Sequence, residues 1–358
     1  MKIEKTTTIS LATGVLGLTG HTDGSRLYAA CMDGRVFEIN PATKTVTPFA
    51  TAHASYASGC VLLPDGGTLI SAGYDGGLLW HDVATKGLIR RVVAHEFWSW
   101  QLALSSDGRL VASVTGQFLA GSEKYEPARA TTPTVKVFDA ATGELKHSFE
   151  HRPPVLSVAF SPDAKHLAAA NLMGEVRVWD LASGQQAAEF KTPDFTSWGI
   201  IKSPHYLGGS YGLAFSPDGA SLLGCGMGPM ADPMAGNGKM TWQRWAWQES
   251  PAKLQAQIRD GEHGTGLMET IGFAPDGKSF VMAGRQAQGT WNVALFSESD
   301  GKLVASLDAK SRVTRHHFTS NGKQLFLAAA VGQPQRKDGQ WPDYGQIQVL
   351  TLSGPITH

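Results

Sequence analysis

A short turn recurs seven times along this chain of 358 residues, and it constrains the fold more than any other feature. Each copy has Asp or Asn followed by Gly, except that Ala164 replaces the Gly once. Gly supplies the positive φ of a tight turn between antiparallel strands, and a preceding Pro presets φ. The copies are centred on Asp23, Asp65, Asp107, Asp163, Asp218, Asp276 and Asn321. A turn repeated in this way predicts a fold assembled from repeated β units.

Apolar or alternating runs lie on both sides of each turn and read as strands. Residues 155–160 and 211–215 precede a turn, and residues 27–30 and 325–330 follow one. A third run ends in a polar residue, as in 135–139, and a second turn leads to a fourth run. Four antiparallel strands in each of seven units predict an all-β fold, a single seven-bladed β-propeller.

We expect residues 1–358 to form one domain. The approximate predicted blades are 12–50, 54–93, 96–150, 153–191, 208–259, 266–309 and 311–353. The last unit lacks a fourth strand, whereas residues 5–11 form a strand-like run outside any unit. Pairing of this run with the last blade would remove the open edges of the ring, so we expect it to close the propeller.

The repeated unit resembles the WD40 repeat, in a divergent, bacterial-type form that covers essentially the whole chain. Trp179 and Asp180 form an intact WD dipeptide at the end of a third run. Five histidines stand twelve or thirteen residues before a turn Asp, where the family has its GH histidine, although the Gly is absent: His53, His95, His151, His205 and His263. The resemblance implies that these histidines are structural and that the protein is a non-catalytic interaction scaffold.

Composition excludes several other classes. Lys plus Arg and Asp plus Glu both number 31, so no basic excess favours nucleic acid or an anionic membrane. The three cysteines lack CxxC spacing, which argues against a zinc site or a disulfide framework. We predict no cofactor and no membrane insertion. Residues 1–11 do not resemble a signal peptide, but a processed chain would look the same, so cytoplasmic, periplasmic and secreted locations stay open.

Four insertions interrupt the repeat, at residues 116–133, 191–209, 226–240 and 331–345. They lie either between second and third strands or between blades, and because strands alternate in direction, both kinds of loop leave the same end of a blade. We call this end the top face. Long loops on one face of a rigid scaffold mark a binding surface.

The top face carries residue types that are enriched in binding hot spots, and we predict that it binds a protein partner. The candidate contact residues are Trp98, Trp100, Gln101, Tyr125, Trp198, Tyr206, Tyr211, Met230, Arg315, Trp341 and Tyr344. Packing of the insertions on one another would also explain the aromatic members. Met227, Met230 and Met234 could hold Cu(I), but their spacing fits a helix face equally well, so we assign no metal ligands.

The seventh unit places Arg315 and His317, beside His316, where the other units mostly have small residues facing the channel. We expect Glu269 to pair with Arg315, because a buried charge must be paired. Glu269 or Glu262 with His316 or His317 could perform acid–base chemistry, although no catalytic motif is present. The alternative function is therefore an enzyme, or a binder of carbohydrate or another small ligand, at the top mouth of the channel. A structural plug would explain the same residues.

Overall fold

The computed structural model describes residues 1–116, 132–198, 206–232, 237–258, 264–332 and 343–354. Its secondary structure is all-β: within these ranges the only helix is a single 3-10 turn, Pro193–Phe195. No helix in the described part of the chain is long and apolar enough to cross a membrane.

Five sheets have four antiparallel strands each, and they account for most of the fold. The first sheet contains β2 (Val15–Gly20), β3 (Leu27–Cys31), β4 (Val36–Asn40) and β5 (Thr45–Pro48). The second contains β6 (Ala57–Leu62), β7 (Thr68–Gly73), β8 (Gly77–Asp82) and β9 (Leu88–Val93). The third contains β10 (Ser99–Leu104), β11 (Leu110–Thr115), β12 (Val135–Asp139) and β13 (Leu145–Phe149). The fourth contains β14 (Val155–Phe160), β15 (His166–Asn171), β16 (Glu175–Asp180) and β17 (Gln186–Lys191).

The last four-stranded sheet joins the two ends of the chain. It contains β28 (Arg312–Phe318), β29 (Gln324–Ala330), β30 (Gly345–Ser353) and the N-terminal strand β1 (Lys2–Leu11). β1 pairs with β30 in antiparallel register from Lys2 opposite Ser353 to Leu11 opposite Gly345. The fourth strand of this sheet therefore comes from the opposite end of the sequence.

Between the fourth sheet and the last one the chain departs from separate four-stranded units. A small hairpin, β18 (Thr196–Trp198) and β19 (Tyr206–Gly208), lies within the second insertion. It is followed by β20 (Ser210–Phe215), β21 (Leu222–Asp232), β22 (Asn237–Ala246) and β23 (Lys253–Gln257). Next come β24 (Thr265–Phe273), β25 (Ser279–Gln288), β26 (Val293–Ser297) and β27 (Leu303–Leu307). β22 pairs with both β23 and β24, which merges these strands into one sheet of eight.

The insertion at residues 226–240, called the Met-rich insertion, causes this merger, and its described residues form strands rather than the helix that the methionine spacing would also fit. β21 and β22 continue outward as a long hairpin that pairs Met227 with Met240, and the extended β22 then reaches Gly266 of β24. Met227 and Met240 are buried, and Met240 packs in a core cluster with Trp242. These two methionines therefore serve as apolar filler.

The strand that directly precedes each repeated turn is called the first strand of its unit. Each first strand contacts the first strand of the next unit. β2 contacts β6, and the series continues through β10, β14, β20, β24 and β28, which in turn contacts β2. Core clusters lie between neighbouring sheets: one combines Tyr28 of the first sheet with Leu69 of the second. Another combines Phe326 and Ile347 of the last sheet with Leu27 of the first.

The repeated turn has the same hydrogen bond in all seven copies. The Asp or Asn side chain accepts from the backbone N–H two residues later, as Asp23 accepts from Ser25 and Asn321 accepts from Lys323. The next residue has positive φ in every copy, and Ala164 adopts φ 57° where the others have Gly. Ala164 therefore takes the left-handed conformation at a cost that Gly avoids.

Candidate functional site

Each first strand carries one irregularity near its top end. The pairing register shifts by one residue between Val15 and Gly17 in β2, and a shift at the equivalent place occurs in the six other first strands. The residue left between the paired positions stands seven residues before the turn Asp or Asn each time. These residues are Leu16, Ser58, Trp100, Leu156, Tyr211, Glu269 and Thr314. Such a bulge bends the strand and redirects one side chain.

All seven bulge residues line a single pocket. Its remaining lining residues are Tyr74, Arg312 and Arg315. We call it the mouth pocket. One residue from every unit therefore contributes to the same cavity at the top end of the first strands, where the sequence predicted a channel mouth.

The mouth pocket contains one ion pair. The guanidinium of Arg312 donates through Nε and NH2 to the two carboxylate oxygens of Glu269, and both distances are 2.7 Å. Glu269 is buried, whereas the Arg312 side chain is about half exposed. The bidentate bond raises the pKa of Arg312 further above its usual range. Arg312 was not among the predicted site residues.

The predicted pairing of Glu269 with Arg315 was wrong. Arg315 NH1 donates to two backbone carbonyls instead, that of Thr314 at 2.6 Å and that of Glu269 at 3.5 Å. β24 runs alongside β28, but the bulge places the Glu269 side chain beside Arg312, at the first position of β28. Burial lowers the pKa of the Arg315 guanidinium, and the nearby Glu269 charge only partly offsets this.

Two tyrosine hydroxyls beside these charges stay protonated at neutral pH. Burial, with a smaller effect of the Glu269 charge, raises the pKa of Tyr211 to about 12. Burial also raises the pKa of Tyr74, against the opposing effect of Arg315. Both residues are therefore hydrogen-bonding groups of the mouth pocket rather than bases.

The histidines proposed for acid–base chemistry lie deeper along β28. His316 Nδ1 bonds the Thr270 hydroxyl at 2.7 Å, and burial lowers its pKa to about 3. His317 Nε2 lies 3.3 Å from the carbonyl of His21, and burial lowers its pKa as well. Both oxygens of Glu269 are already held by Arg312, and no hydrogen bond of the described residues joins Glu269 to either histidine. Glu262 lies outside the described residues.

An aromatic cluster adjoins the mouth pocket where the second and third sheets meet. The Tyr74 ring stacks on Trp98 with centroids 4.5 Å apart, and Phe97 stacks against Trp98 at 4.8 Å. Trp100 packs edge-on against Tyr74 and Trp98. Tyr56 packs against Tyr74, and Tyr56 and Trp98 are 42% and 38% exposed. Trp100 and Tyr74 also line the mouth pocket, so the two features share a wall.

Other predicted contact residues have structural partners or lie elsewhere. Gln101 Oε1 accepts from the backbone N–H of Val158, which ties the third sheet to the fourth. The Tyr344 hydroxyl lies 3.0 Å from the hydroxyl of Thr13, which joins the end of the last insertion to the segment between β1 and β2. Met230 is half-buried on the long hairpin.

The remaining predicted contact residues belong to the insertions, of which the structure describes only part. Tyr125 and Trp341, like His205 and His263, lie outside the described residues. Trp198 and Tyr206 pair in the small hairpin through their backbones. The second insertion is anchored close to this hairpin, because Asp194 accepts a hydrogen bond from Gln243 and Phe195 is fully buried.

The residues of this region that sequence reasoning missed include Ser58, Tyr74 and Arg312 of the mouth pocket, and Tyr56 of the aromatic cluster. Ser58 could have been found, since it occupies the same place before the turn Asp as Trp100 and Tyr211. The others come from loops or strand ends whose direction the repeat does not reveal.

Three of the histidines in the GH position are described. Each lies between two sheets and bonds residues of the sheet that follows it in the chain. His53 Nδ1 lies 3.0 Å from Asp75, and its Nε2 lies 2.9 Å from the Ser71 hydroxyl, which also bonds His81 Nε2 at 2.9 Å. His95 Nε2 bonds Ser113 at 2.8 Å, and His151 Nε2 bonds the carbonyl of Glu175 at 3.1 Å. These three histidines therefore have the structural role that the resemblance implies.

The three cysteines are not joined to one another at the described positions. Cys31, Cys60 and Cys225 are free and buried, and burial raises the pKa of each thiol. No cluster of three His, Cys, Asp or Glu side chains that could hold a metal ion occurs within the described ranges.

Residues 143–180, which include the fourth-sheet strands β14 to β16, match the family described as WD domain, G-beta repeat. The chain therefore contains a WD40 repeat at these residues. It is 30% identical over 131 residues to Actin-interacting protein 1 of Drosophila melanogaster, which is 34% of this chain and 20% of that protein. It is 24% identical over 248 residues to Cell division cycle 20.1, cofactor of APC complex, of Arabidopsis thaliana, which is 63% of this chain and 54% of that protein. The WD40-repeat protein thus spans a fifth and about half of these two relatives.

Proposed function

We propose that this WD40-repeat protein is a closed seven-bladed propeller that binds a protein partner through its top face. The unbroken series of contacts from β2 to β28 and back to β2 supports the ring, as does the pairing of β1 with β30. A cavity lined by one bulge residue from each unit also fits an arrangement around a central axis. In this arrangement the merged eight-stranded sheet supplies two blades, which the Met-rich hairpin links at their top ends.

The aromatic cluster is the observation that carries the proposed partner site. Soluble proteins rarely leave stacked aromatic rings at the surface without a partner, and Trp and Tyr dominate the energy of protein interfaces. Tyr56 and Trp98 lie on the side of the top face that has no large insertion before residue 116, so a partner can approach them. The relatives agree in kind, because their names describe an interacting protein and a cofactor of a complex.

Site-specific photo-crosslinking tests this proposal. A benzoylphenylalanine replaces Tyr56 in one protein and Arg109, at a turn of the opposite end, in another. We expect a discrete protein adduct from position 56 in cells, its loss when Trp98→Ala is added, and no such adduct from position 109. The same adducts from both positions, or an adduct that survives Trp98→Ala unchanged, would contradict a partner site at the aromatic cluster.

A second candidate, a small-ligand site, is supported by the polar and charged side chains that converge on the mouth pocket, namely Tyr211, Glu269, Arg312 and Arg315. A thermal-shift screen with sugars and organic acids on the wild type and Arg315→Ala tests it. We expect a ligand of this kind to raise the transition of the wild type only. If no compound moves the wild-type transition, the small-ligand reading fails.

A further inference from the structure

The mouth pocket has an excess of positive charge that the protein does not neutralise from its own described groups. It contains two guanidinium groups, those of Arg312 and Arg315, and one carboxylate, that of Glu269. The carboxylate is fully engaged by Arg312, whereas the hydrogen bonds of Arg315 go to backbone carbonyls. A desolvated cation without its own anion is costly, and an incoming anion would relieve that cost.

A second pocket continues this positive surface outward. It is lined by Arg285, Gln286, Ala287, Asn292, Asp308, Lys310, Ser311 and Arg312, and its empty volume is about 600 Å³. Arg312 belongs to both pockets, so they adjoin at its side chain. We call the two pockets together the basic trough.

The charges of the basic trough do not balance. Asp308 is paired with Lys310 at 2.7 Å, and Arg285 donates to the side-chain oxygen of Asn237, a neutral group. The trough therefore holds four cationic side chains, those of Arg285, Lys310, Arg312 and Arg315, against the two carboxylates of Glu269 and Asp308. The whole chain has no net charge, so this excess is a local feature.

We propose that the basic trough binds an acidic segment of the partner protein, with one Asp or Glu carboxylate entering the mouth pocket beside Arg315. This inference rests on the proposed partner binding and specifies its chemistry. A guanidinium presents parallel N–H donors that match a carboxylate, and the neutral hydroxyls of Tyr74 and Tyr211 add further donors. A second carboxylate of the same segment lies near Arg285, in the outer pocket.

The aromatic cluster gives such a segment its apolar contact. Trp100 and Tyr74 belong both to the cluster and to the wall of the mouth pocket. A segment with an acidic residue in the pocket therefore places its neighbouring apolar side chain against Trp98. This combination of a desolvated charge with surrounding aromatic rings is the usual composition of a binding hot spot.

Calorimetric titration of the whole purified chain tests the inference with capped hexaglutamate, hexaglutamine and inorganic phosphate as probes. We expect hexaglutamate to bind and hexaglutamine not to bind, with an affinity that falls as salt rises. Arg315→Gln should weaken hexaglutamate by about tenfold or more, and Arg285→Gln by a smaller factor. The control is Arg109→Gln, because Arg109 is 83% exposed at a turn of the opposite end.

Three outcomes would overturn the inference: equal binding of hexaglutamine, undiminished hexaglutamate binding by both trough variants, or phosphate binding with the same dependence on Arg315. If Arg315→Gln does not fold, Arg285→Gln and Arg315→Lys decide the question, since lysine keeps the charge but not the paired donors. Partner binding is judged separately. A crosslink from position 56 without hexaglutamate binding refutes only the acidic segment, whereas hexaglutamate binding without a crosslink refutes the partner site at the aromatic cluster.

Discussion

Glu269 and Arg312 join the sixth and seventh first strands through two parallel hydrogen bonds of 2.7 Å. The carboxylate belongs to the bulge of β24, and the guanidinium belongs to the first residue of β28. The pair therefore fixes the position of the bulge relative to the neighbouring sheet. It also engages both oxygens of Glu269, which is the one carboxylate among the described lining residues of the mouth pocket.

Replacement of Glu269 by Gln should lower the free energy of unfolding by about 2 kcal/mol. Loss of one partner of a buried ion pair costs more, but the half-exposed Arg312 side chain regains solvent. Urea denaturation measures the change. Glu4→Gln is the matched control, because the pair of Lys2 and Glu4 is exposed and should contribute nothing measurable. An equal effect of both substitutions would contradict this account of the mouth pocket.

The protein should lose stability as the pH falls below about 6.5. Burial lowers the pKa of His81 to about 4, and the pKa values of His95, His151 and His316 to about 3. The unfolded chain therefore binds more protons than the folded one below the ordinary histidine pKa, so stability is fully present above it and declines toward the folded values. Each histidine contributes about 1.4 kcal/mol per pH unit in this window.

The variant His81→Gln isolates one of these groups. The Nδ1–H of His53 faces Asp75, so Nε2 of His53 accepts from Ser71 and the Ser71 oxygen accepts from Nε2–H of His81. Loss of His81 should lower stability at pH 7.5 but make the dependence on pH shallower between pH 6 and pH 5. Urea titrations at several pH values measure this slope, and a slope identical to that of the wild type would refute the assignment.

The turn residue Ala164 should be replaceable by Gly with a gain of stability. Ala164 has φ 57°, and a non-Gly residue in this region costs about 1 kcal/mol. Gly219→Ala is the reverse change at the equivalent position: its added Cβ would have Pro162 as nearest neighbour at 3.8 Å, so only the backbone strain changes. We expect shifts of opposite sign in thermal melting. Shifts of the same sign would contradict the explanation of these stability changes by backbone strain at positive φ.

Deletion of residues 2–11 should abolish cooperative folding. β1 forms the outer strand of the last sheet and buries Ile9 and Leu11 against residues of the first and last sheets. Without it, β30 would present an unpaired edge and the core between these sheets would be incomplete. Calorimetry and near-ultraviolet circular dichroism measure the transition. An unchanged melting transition of the truncated chain would refute this role of β1 in the last sheet.

The sequence predicted what depends on local chemistry and missed what depends on strand register. The turn residues, from Asp23 to Asn321, make the same side-chain bond that their type predicts, and the strand at the N-terminus pairs as its position suggests. Glu269 was predicted to pair with Arg315 but pairs with Arg312. A bulge redirects a side chain, and no particular residue type in the sequence reveals where such a bulge occurs.

The Met-rich insertion shows a second limit. Met227, Met230 and Met234 have a spacing that a helix face shares with a twisted, bulged hairpin. Long-range pairing of Gly238 with Gly266 decided the outcome, since it extends β22 to the next unit. Gly238 leaves no room for a Cβ, because the added atom would clash with the Gly228 carbonyl and the Met227 side chain.

The bulge in every first strand assigns sheet pairing and pocket lining to different residues. The paired residues of each strand hold the sheets together, whereas the unpaired one faces the mouth pocket and makes no demand on the ladder. Seven such positions line the mouth pocket, and their present residues range in size from Ser58 to Trp100 and include the charged Glu269. The lining of the mouth pocket can therefore be redesigned one strand at a time, at positions that the sequence alone locates seven residues before each turn Asp or Asn.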